Sequence, residues 1–357
     1  MVMEFMRTIT ADSTPRKRTP ATVGDAALDA RIRSLVADMG GDKPNDLIEE
    51  LVVTALKMAR DQTTVADIKM FNRALKEMRW ASRVFAPYRM ERKISVFGSA
   101  RTKEDAPEFL AAEEFGRKMR ERGWMVITGG GDGIMGAAHR GAGKERSFGL
   151  NIKLPFEQSA NDTIDGDPKL VNFNYFFTRK LNFVKESHAI ALFPGGFGTM
   201  DEGFEALTLM QTGKARIFPL VLVDHPGGTY WKMVLDFLHN HLLRLGLISE
   251  DDFNFLRFCS VDEAVEHVLQ FYKNFHSYRW LGPRIIIRLQ TALSPEKLAD
   301  MNKQFSDVLA IGGFEMCAAL PEEKGEPEIA NLPRLVFTPH KRNFARLRKV
   351  IDVVNEA

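Results

Sequence analysis

The sequence predicts an α/β fold built on a doubly wound parallel sheet, preceded by a helical extension and followed by a small α+β unit. Three observations predict it. From Ile94 onward, apolar runs alternate with amphipathic ones. The apolar runs are nearly continuous, the pattern of strands covered on both faces rather than one. Three of them end in glycine-rich turns, FGSA, TGGGDGIMG and PGGFGT, at the strand ends where such sheets hold ligands.

Bulk properties narrow the function classes. At 357 residues the chain is too long for one average domain. With 45% hydrophobic and 27% charged residues it reads as globular. Its 49 basic and 47 acidic residues give a net charge of +2 and no electrostatic footprint for nucleic acid or a membrane surface. Cys259 and Cys317 are far apart and match neither a disulfide framework nor a CxxC metal knuckle. A reducing, cytoplasmic setting is the expectation. The N-terminal stretch lacks the apolar core of a signal peptide, and no later run reaches the ~20 apolar residues of a membrane helix.

In chain order, residues 1–23 read as a disordered tail, with Arg16, Lys17 and Arg18 as a solvated basic run. Residues 24–88 read as a helical extension. In DLIEELVVTALKMARD, Leu47, Ile48, Leu51, Val52 and Leu56 recur at helical spacing, with Asp46 placed to cap. VADIKMFNRALKEMRWASRVF forms a second helix, and such a pair usually packs on a neighbouring domain or a partner subunit.

Residues 89–280 read as the central, Rossmann-like α/β domain. The alternation runs ISVFGSA, a helix over 105–122, WMVITGGG, a helix from 133, and FGLNIKL. It continues with a helix over 178–187, HAIALFPGG, a helix from 200, IFPLVLVD and a helix from 229. This gives five strands with right-handed crossovers. Gly282–Pro283 reads as a joint, after which residues 284–357 form an accessory unit of strand, helix, two strands and helix.

TGGGDGIMG contains GxGxxG at Gly131, Gly133 and Gly136, directly after a strand. A dinucleotide site also needs an acidic residue at the end of the next strand, and FGLNIKLPFEQ offers only Glu157, beyond a proline. The motif also follows the second strand of the domain, so a mononucleotide is favoured over NAD. For Gly136, close helix–strand packing is a sufficient reading.

In PGGFGTMDE, Thr199 and Glu202 have the spacing of a capping box, which requires no ligand. Against that, Gly195, Gly196 and Gly198 uncover backbone donors ahead of a helix start, where the dipole favours phosphate. Glu202 then serves as cap when the site is empty and as catalyst when it is filled. Upstream, Arg179 and Lys180 stand near the start of the preceding helix, and an arginine suits planar oxyanions.

TGGGDGIMG, then FFTRK, then PGGFGTMDE resembles the LOG family of nucleoside 5′-monophosphate phosphoribohydrolases, often mislabelled lysine decarboxylases. The resemblance covers roughly residues 90–270. It implies a Rossmann-like homodimer or larger homo-oligomer that hydrolyses the N-glycosidic bond of a nucleotide without cofactor or metal, leaving ribose 5-phosphate. The family's catalytic arginine falls on Arg179, its glutamate on Glu202 and its phosphate loop, PGGxGTxxE, on Gly195, Gly196, Gly198 and Thr199. Gly98, Ser99, Gly130 and Gly131, at the neighbouring strand ends, complete the candidate phosphate and ribose site. Lys180 and Glu205 are further candidates. One departure concerns the base: cytokinin-type members carry Met–His–x where this chain has Phe176–Phe177–Thr178. An ordinary nucleotide such as AMP is therefore as good a substrate expectation as a cytokinin nucleotide.

The chemistry expected of these residues follows from oxocarbenium character at C1′. Glu202 stabilises that charge and orients or deprotonates water, and Arg179 holds the leaving base or the phosphate. Glu205, one turn beyond Glu202, either shares its face or is an ordinary surface glutamate. His239 and His241 are two apart and lack zinc-site spacing. His188 reads as packing or polar surface. Two rivals use the same cleft: a non-catalytic nucleotide sensor, and a pyridoxal phosphate decarboxylase, for which Lys180 beside an arginine is a poor Schiff-base lysine.

Overall fold

The computed structural model describes residues 21–40, 45–154, 159–323, 326–340 and 343–356. The Arg–Lys–Arg run at 16–18 and Glu157 lie outside them. The chain divides into two compact units, one ending at Arg79 and the other starting at Trp80.

The smaller unit is helical: α1 (Ala26–Asp38), α2 (Asn45–Arg60) and the first part of α3 (Val65–Phe85). Asp25 caps α1 by accepting from the Ala27 and Leu28 amides. Asp46 does not cap α2; it sits inside the first turn, because the helix already begins at Asn45. The expected apolar face of α2 is also displaced. Leu47, Ile48, Leu51 and Leu56 are exposed, and Val53 instead joins Ile32, Val36 and Val23 in a small core.

The larger unit begins with β1 (Lys93–Phe97), α4 (Pro107–Glu121), β2 (Met125–Thr128), α5 (Ile134–Ala142), β3 (Ser147–Ile152) and β4 (Leu170–Phe173). There follow α6 (Phe176–Glu186), β5 (Ala189–Leu192), α7 (Phe197–Gln211), β6 (Leu220–Val223), α8 (Tyr230–Phe237), β7 (Leu256–Cys259) and α9 (Val261–Phe271). The seven strands are all parallel, in the order β4-β3-β2-β1-β5-β6-β7. This is the doubly wound α/β fold. Successive strand residues divide between two cores, as a two-residue period requires. Ile94, Val96, Val126, Ala191 and Val221 pack with Phe115, Ile134 and Val265 on one face. Phe97, Ile127, Leu150, Ile190 and Leu222 pack with Phe183, Met210 and Trp231 on the other.

Seven strands replace the expected five: β4 and β7 were not foreseen. Close packing of α4 on α5 relies on Gly116 and Gly141, where a Cβ would overlap the Ala138 and Glu113 carbonyls. At Gly136 a Cβ would meet only ordinary contacts, so the packing reading fails there.

The C-terminal part comprises β8 (Phe275–Leu281), β9 (Arg284–Leu289), α10 (Pro295–Gln304), β10 (Leu309–Cys317), β11 (Arg334–Pro339) and α11 (Phe344–Val354). Its sheet is antiparallel, in the order β10-β11-β9-β8. Gly282–Pro283 is not a joint. Leu281 pairs with Arg284, so the two residues form the turn of the β8–β9 hairpin, with Gly282 at φ +59° as a two-residue turn demands. Ile285, Ile287, Leu335 and Phe337 share one core with Phe218, Leu220 and Phe271 of the larger sheet's region. On the opposite face Glu323, almost fully buried, pairs with Arg288 at 2.8 Å and Arg334 at 2.9 Å. No helix among the described residues is long and apolar enough to cross a membrane.

Candidate active site

β1 lies between β2 and β5, so the strand order reverses direction beside it, and the carboxyl ends open a crevice there. All three glycine turns meet at that point. The Ser99 amide donates to the Pro194 carbonyl at 3.1 Å, and the Ser99 carbonyl accepts from the Ile134 amide at 3.0 Å. Two glycines are required by these contacts. Gly133, at φ +61°, leaves no space for a Cβ beside the Ser99 carbonyl, and a Cβ on Gly98 would meet Ile134 at 2.6 Å. Gly130, at φ +81°, turns the chain after β2, and its amide donates to the Thr128 hydroxyl at 2.9 Å. Next to it stands Gly131.

The third turn is built differently. A Cβ on Gly195 would overlap the Thr199 side chain, and the Tyr230 hydroxyl donates to the Gly195 carbonyl at 2.5 Å. Gly196 and Gly198 face open space, with no atom close to where a Cβ would stand. Between them Phe197 is 96% exposed. This turn feeds α7, whose first amides have no intrahelical acceptor.

The expected capping box does not form. Gly196 is the N-cap, no side chain caps the helix, and Thr199 lies in the first turn with its amide donating to the Gly196 carbonyl at 3.1 Å. The helix starts three residues before the first helical position that a Thr–x–x–Glu cap would give. That displacement moves Glu202 into the second turn, where its side chain is buried at 9% exposure. Among the described residues no hydrogen bond reaches its carboxylate. Burial lifts its carboxyl to about 7; Lys180 and Arg179 oppose the rise, while Glu205 and Asp201 add to it.

Arg179 is held from two sides. Its Nε donates to the Leu150 carbonyl at the end of β3, 2.7 Å away, and its guanidinium lies 5.2 Å from the centre of the Phe183 ring. Its tip also crosses Gly129: a Cβ there would sit 2.6 Å from Nη2. Desolvation lowers its pKa, with Glu202 pulling the other way, but a guanidinium stays charged. Lys180 bridges Asp201 at 2.8 Å and Glu205 at 2.9 Å. Burial alone would lower its pKa, and these two carboxylates outweigh that and hold it raised.

The structure thus brings Arg179, Lys180, Glu202 and Glu205 together beside the turns that carry Gly98, Ser99, Gly130, Gly131, Gly195, Gly196, Gly198 and Thr199. Glu205 is a partner of Lys180. Three residues escaped the sequence reading. Asp201 shares Lys180, Tyr230 ties down Gly195, and Asn161 draws the Gly130 and Gly131 carbonyls onto its amide at 3.0 and 2.9 Å. Only Asp201, adjacent to Glu202 in the motif, had a local signal. The histidines set aside above stay outside the crevice: His239 stacks on Phe253, and among the described residues no group of ligands fits a metal. Outside it too is an apolar cavity of about 190 Å³ between Phe204, Leu238 and Phe255, lined by none of the residues assembled here.

A family model described as "Possible lysine decarboxylase" matches residues 135–269. A probable cytokinin riboside 5′-monophosphate phosphoribohydrolase of Oryza sativa subsp. japonica is 33% identical over 125 residues, 34% of this chain and 49% of that protein. The cytokinin riboside 5′-monophosphate phosphoribohydrolase of Mycobacterium tuberculosis is 31% identical over 117 residues, 32% of this chain and 60% of that protein. Over this central region the chain is similar to the LOG-type phosphoribohydrolases. The match spans about half to three fifths of those proteins' own length. Among solved structures, the molybdenum cofactor carrier protein from Chlamydomonas reinhardtii is 24% identical and covers 50% of this chain and 97% of its own, with a TM-score of 0.35. The matched region contains both Arg179 and Glu202; β8 to α11 lie beyond the matched residues.

Proposed function

We propose that this protein hydrolyses the N-glycosidic bond of a nucleoside 5′-monophosphate, releasing the free base and ribose 5-phosphate. The observation that carries the reading is Glu202: a buried carboxylate without a hydrogen bond among the described residues, within electrostatic reach of two cations, in a crevice of open glycine turns. In this reading the amides around Gly196 and Gly198 hold the 5′-phosphate at the N-terminus of α7. Glu202 faces C1′, stabilises the positive charge that develops there and takes a proton from the attacking water. A carboxyl near 7 is poised for that transfer at neutral pH. Arg179 neutralises the charge of the departing base or the phosphate. Phe176 and Phe177, half-exposed on the first turn of the helix bearing Arg179, offer aromatic surface to a purine.

The decarboxylase reading has less support. A Schiff-base lysine needs its ammonium pKa lowered, whereas Asp201 and Glu205 raise that of Lys180.

The experiment is a panel of purine and pyrimidine monophosphates, with free base measured by chromatography. AMP is expected to yield adenine. Glu202→Ala and Arg179→Ala are each expected to lower the rate by at least about a hundredfold while circular dichroism is unchanged. Binding of nucleotides without base release would favour a non-catalytic sensor, and neither binding nor release would overturn the nucleotide reading itself.

A further inference from the structure

At the opposite, amino-terminal edge of the parallel sheet, Arg92 and His188 contact Tyr272, Arg216 lies within electrostatic reach of its hydroxyl, and His276 adjoins Arg92. The Arg92 guanidinium lies 4.0 Å from the centre of the Tyr272 ring and donates to the His276 carbonyl at 2.9 Å. The Tyr272 hydroxyl donates to the His188 carbonyl at 2.6 Å, and the two rings are 6.4 Å apart. Arg216 donates to the Lys185 carbonyl at 2.8 Å. All four basic residues are half-buried.

Neither Arg92 nor Arg216 makes an ion pair with a carboxylate among the described residues. The acidic groups nearby are engaged: Glu186 pairs with Lys185 at 2.5 Å and Glu91 with Arg146 at 3.0 Å. The buried Lys93 ammonium donates to the Tyr88 and Glu91 carbonyls at 2.6 and 3.0 Å, so it too lacks direct carboxylate neutralisation. The Lys93 amide donates to Nδ1 of His188 at 3.2 Å. That bond fixes the neutral tautomer with its proton on Nε2, giving a further donor beside the arginines. Burial keeps both imidazoles neutral, with the neighbouring cations adding to the effect; His276 falls to about 4. Partly desolvated positive charge without a counter-charge is costly, and an anion between two guanidiniums offsets that cost with strong hydrogen bonds.

We propose that Arg92, Arg216 and the Nε2–H of His188 form a second anion site, which takes a phosphoryl group. It is separate from the crevice: β1 runs from one to the other, a distance of about 16 Å along its five residues. Because Arg92 also grips the backbone of β8, an occupant would touch the seam between the parallel sheet and the antiparallel one.

The test uses the full chain with the imidazole signals of His188 and His276 followed by NMR, assigned through His188→Gln and His276→Gln. Inorganic phosphate, ribose 5-phosphate and sodium chloride at matched ionic strength are titrated separately. Phosphate is expected to move both signals with saturation, equally in wild type and in Arg179→Ala, which disables the crevice. Saturation by phosphate alone identifies a free-phosphate site. Tighter saturation by ribose 5-phosphate identifies a phosphorylated metabolite. Arg216→Gln is expected to weaken binding at least about tenfold, and Arg216→Lys, which keeps the charge and the fold, is expected to weaken it less. The proposal is overturned if neither phosphate compound shifts the signals beyond the chloride control, or if Arg216→Gln folds and binds as wild type does.

Discussion

Burial lifts Glu202 to about 7, while the unfolded chain holds a glutamate near 4.5. Between those two pH values the folded protein keeps a proton that the unfolded chain has lost, so stability falls as pH rises through that window. The difference corresponds to about 3 kcal/mol, fully expressed above pH 7. Glu202→Gln, which mimics the protonated side chain, is therefore expected to be more stable than wild type by up to about 3 kcal/mol at pH 8, and to match it at pH 4. Urea unfolding at the two pH values measures this. Equal stability at pH 8 would mean that the carboxylate is well solvated after all. A buried carboxylate that weakens the fold when charged does not serve packing.

The turns differ in what their glycines do. Gly133→Ala would force a Cβ into the Ser99 carbonyl at a φ of +61°, and is expected to cost at least about 2 kcal/mol by thermal unfolding. Gly198→Ala meets open space in the first turn of α7. It is expected to fold at least as well as wild type, gaining up to about 1 kcal/mol, yet to raise KM for nucleotide because the new methyl blocks the approach to the amides. If Gly198→Ala leaves KM unchanged, the phosphate does not sit on that turn. The elements that carry these turns were legible because their strands are central: covered on both faces, they read as unbroken apolar runs. The strands that escaped notice, β4, β7 and β8, all lie at sheet edges. Asn172 in β4, Arg257 in β7 and His276 with Ser277 in β8 interrupt their apolar pattern. Similarly, Arg179 and Glu202 stood out through the family resemblance of their motifs, whereas the Leu150 carbonyl, Asn161 and Tyr230 are generic in sequence. Only the folded chain brings them near.

At the scale of the whole molecule, the two sheets of the larger unit share one apolar core, and the smaller sheet is locked on its far side by charge. Glu323 lies between Arg288 and Arg334, the three side chains nearly inaccessible to water. Burial would raise its carboxyl pKa, but its bond to Arg334, the Leu320 amide and Arg288 together hold it lowered. Removing one partner from such a cluster leaves buried charge uncompensated, at a cost of about 3–5 kcal/mol. Glu323→Ala is expected to lower the unfolding midpoint accordingly, and Arg334→Met with Glu323→Leu to recover part of the loss. A single variant as stable as wild type would show that water reaches the arginines.

The Gly282–Pro283 turn sets a practical boundary for anyone preparing fragments. Scissors placed there would pass through the tip of a hairpin, stranding β8 without its neighbour and stripping a cover of isoleucine and phenylalanine from the parallel-sheet half. A shortened chain of that kind would emerge with a sticky flank, and any activity it lacked would say nothing about the crevice.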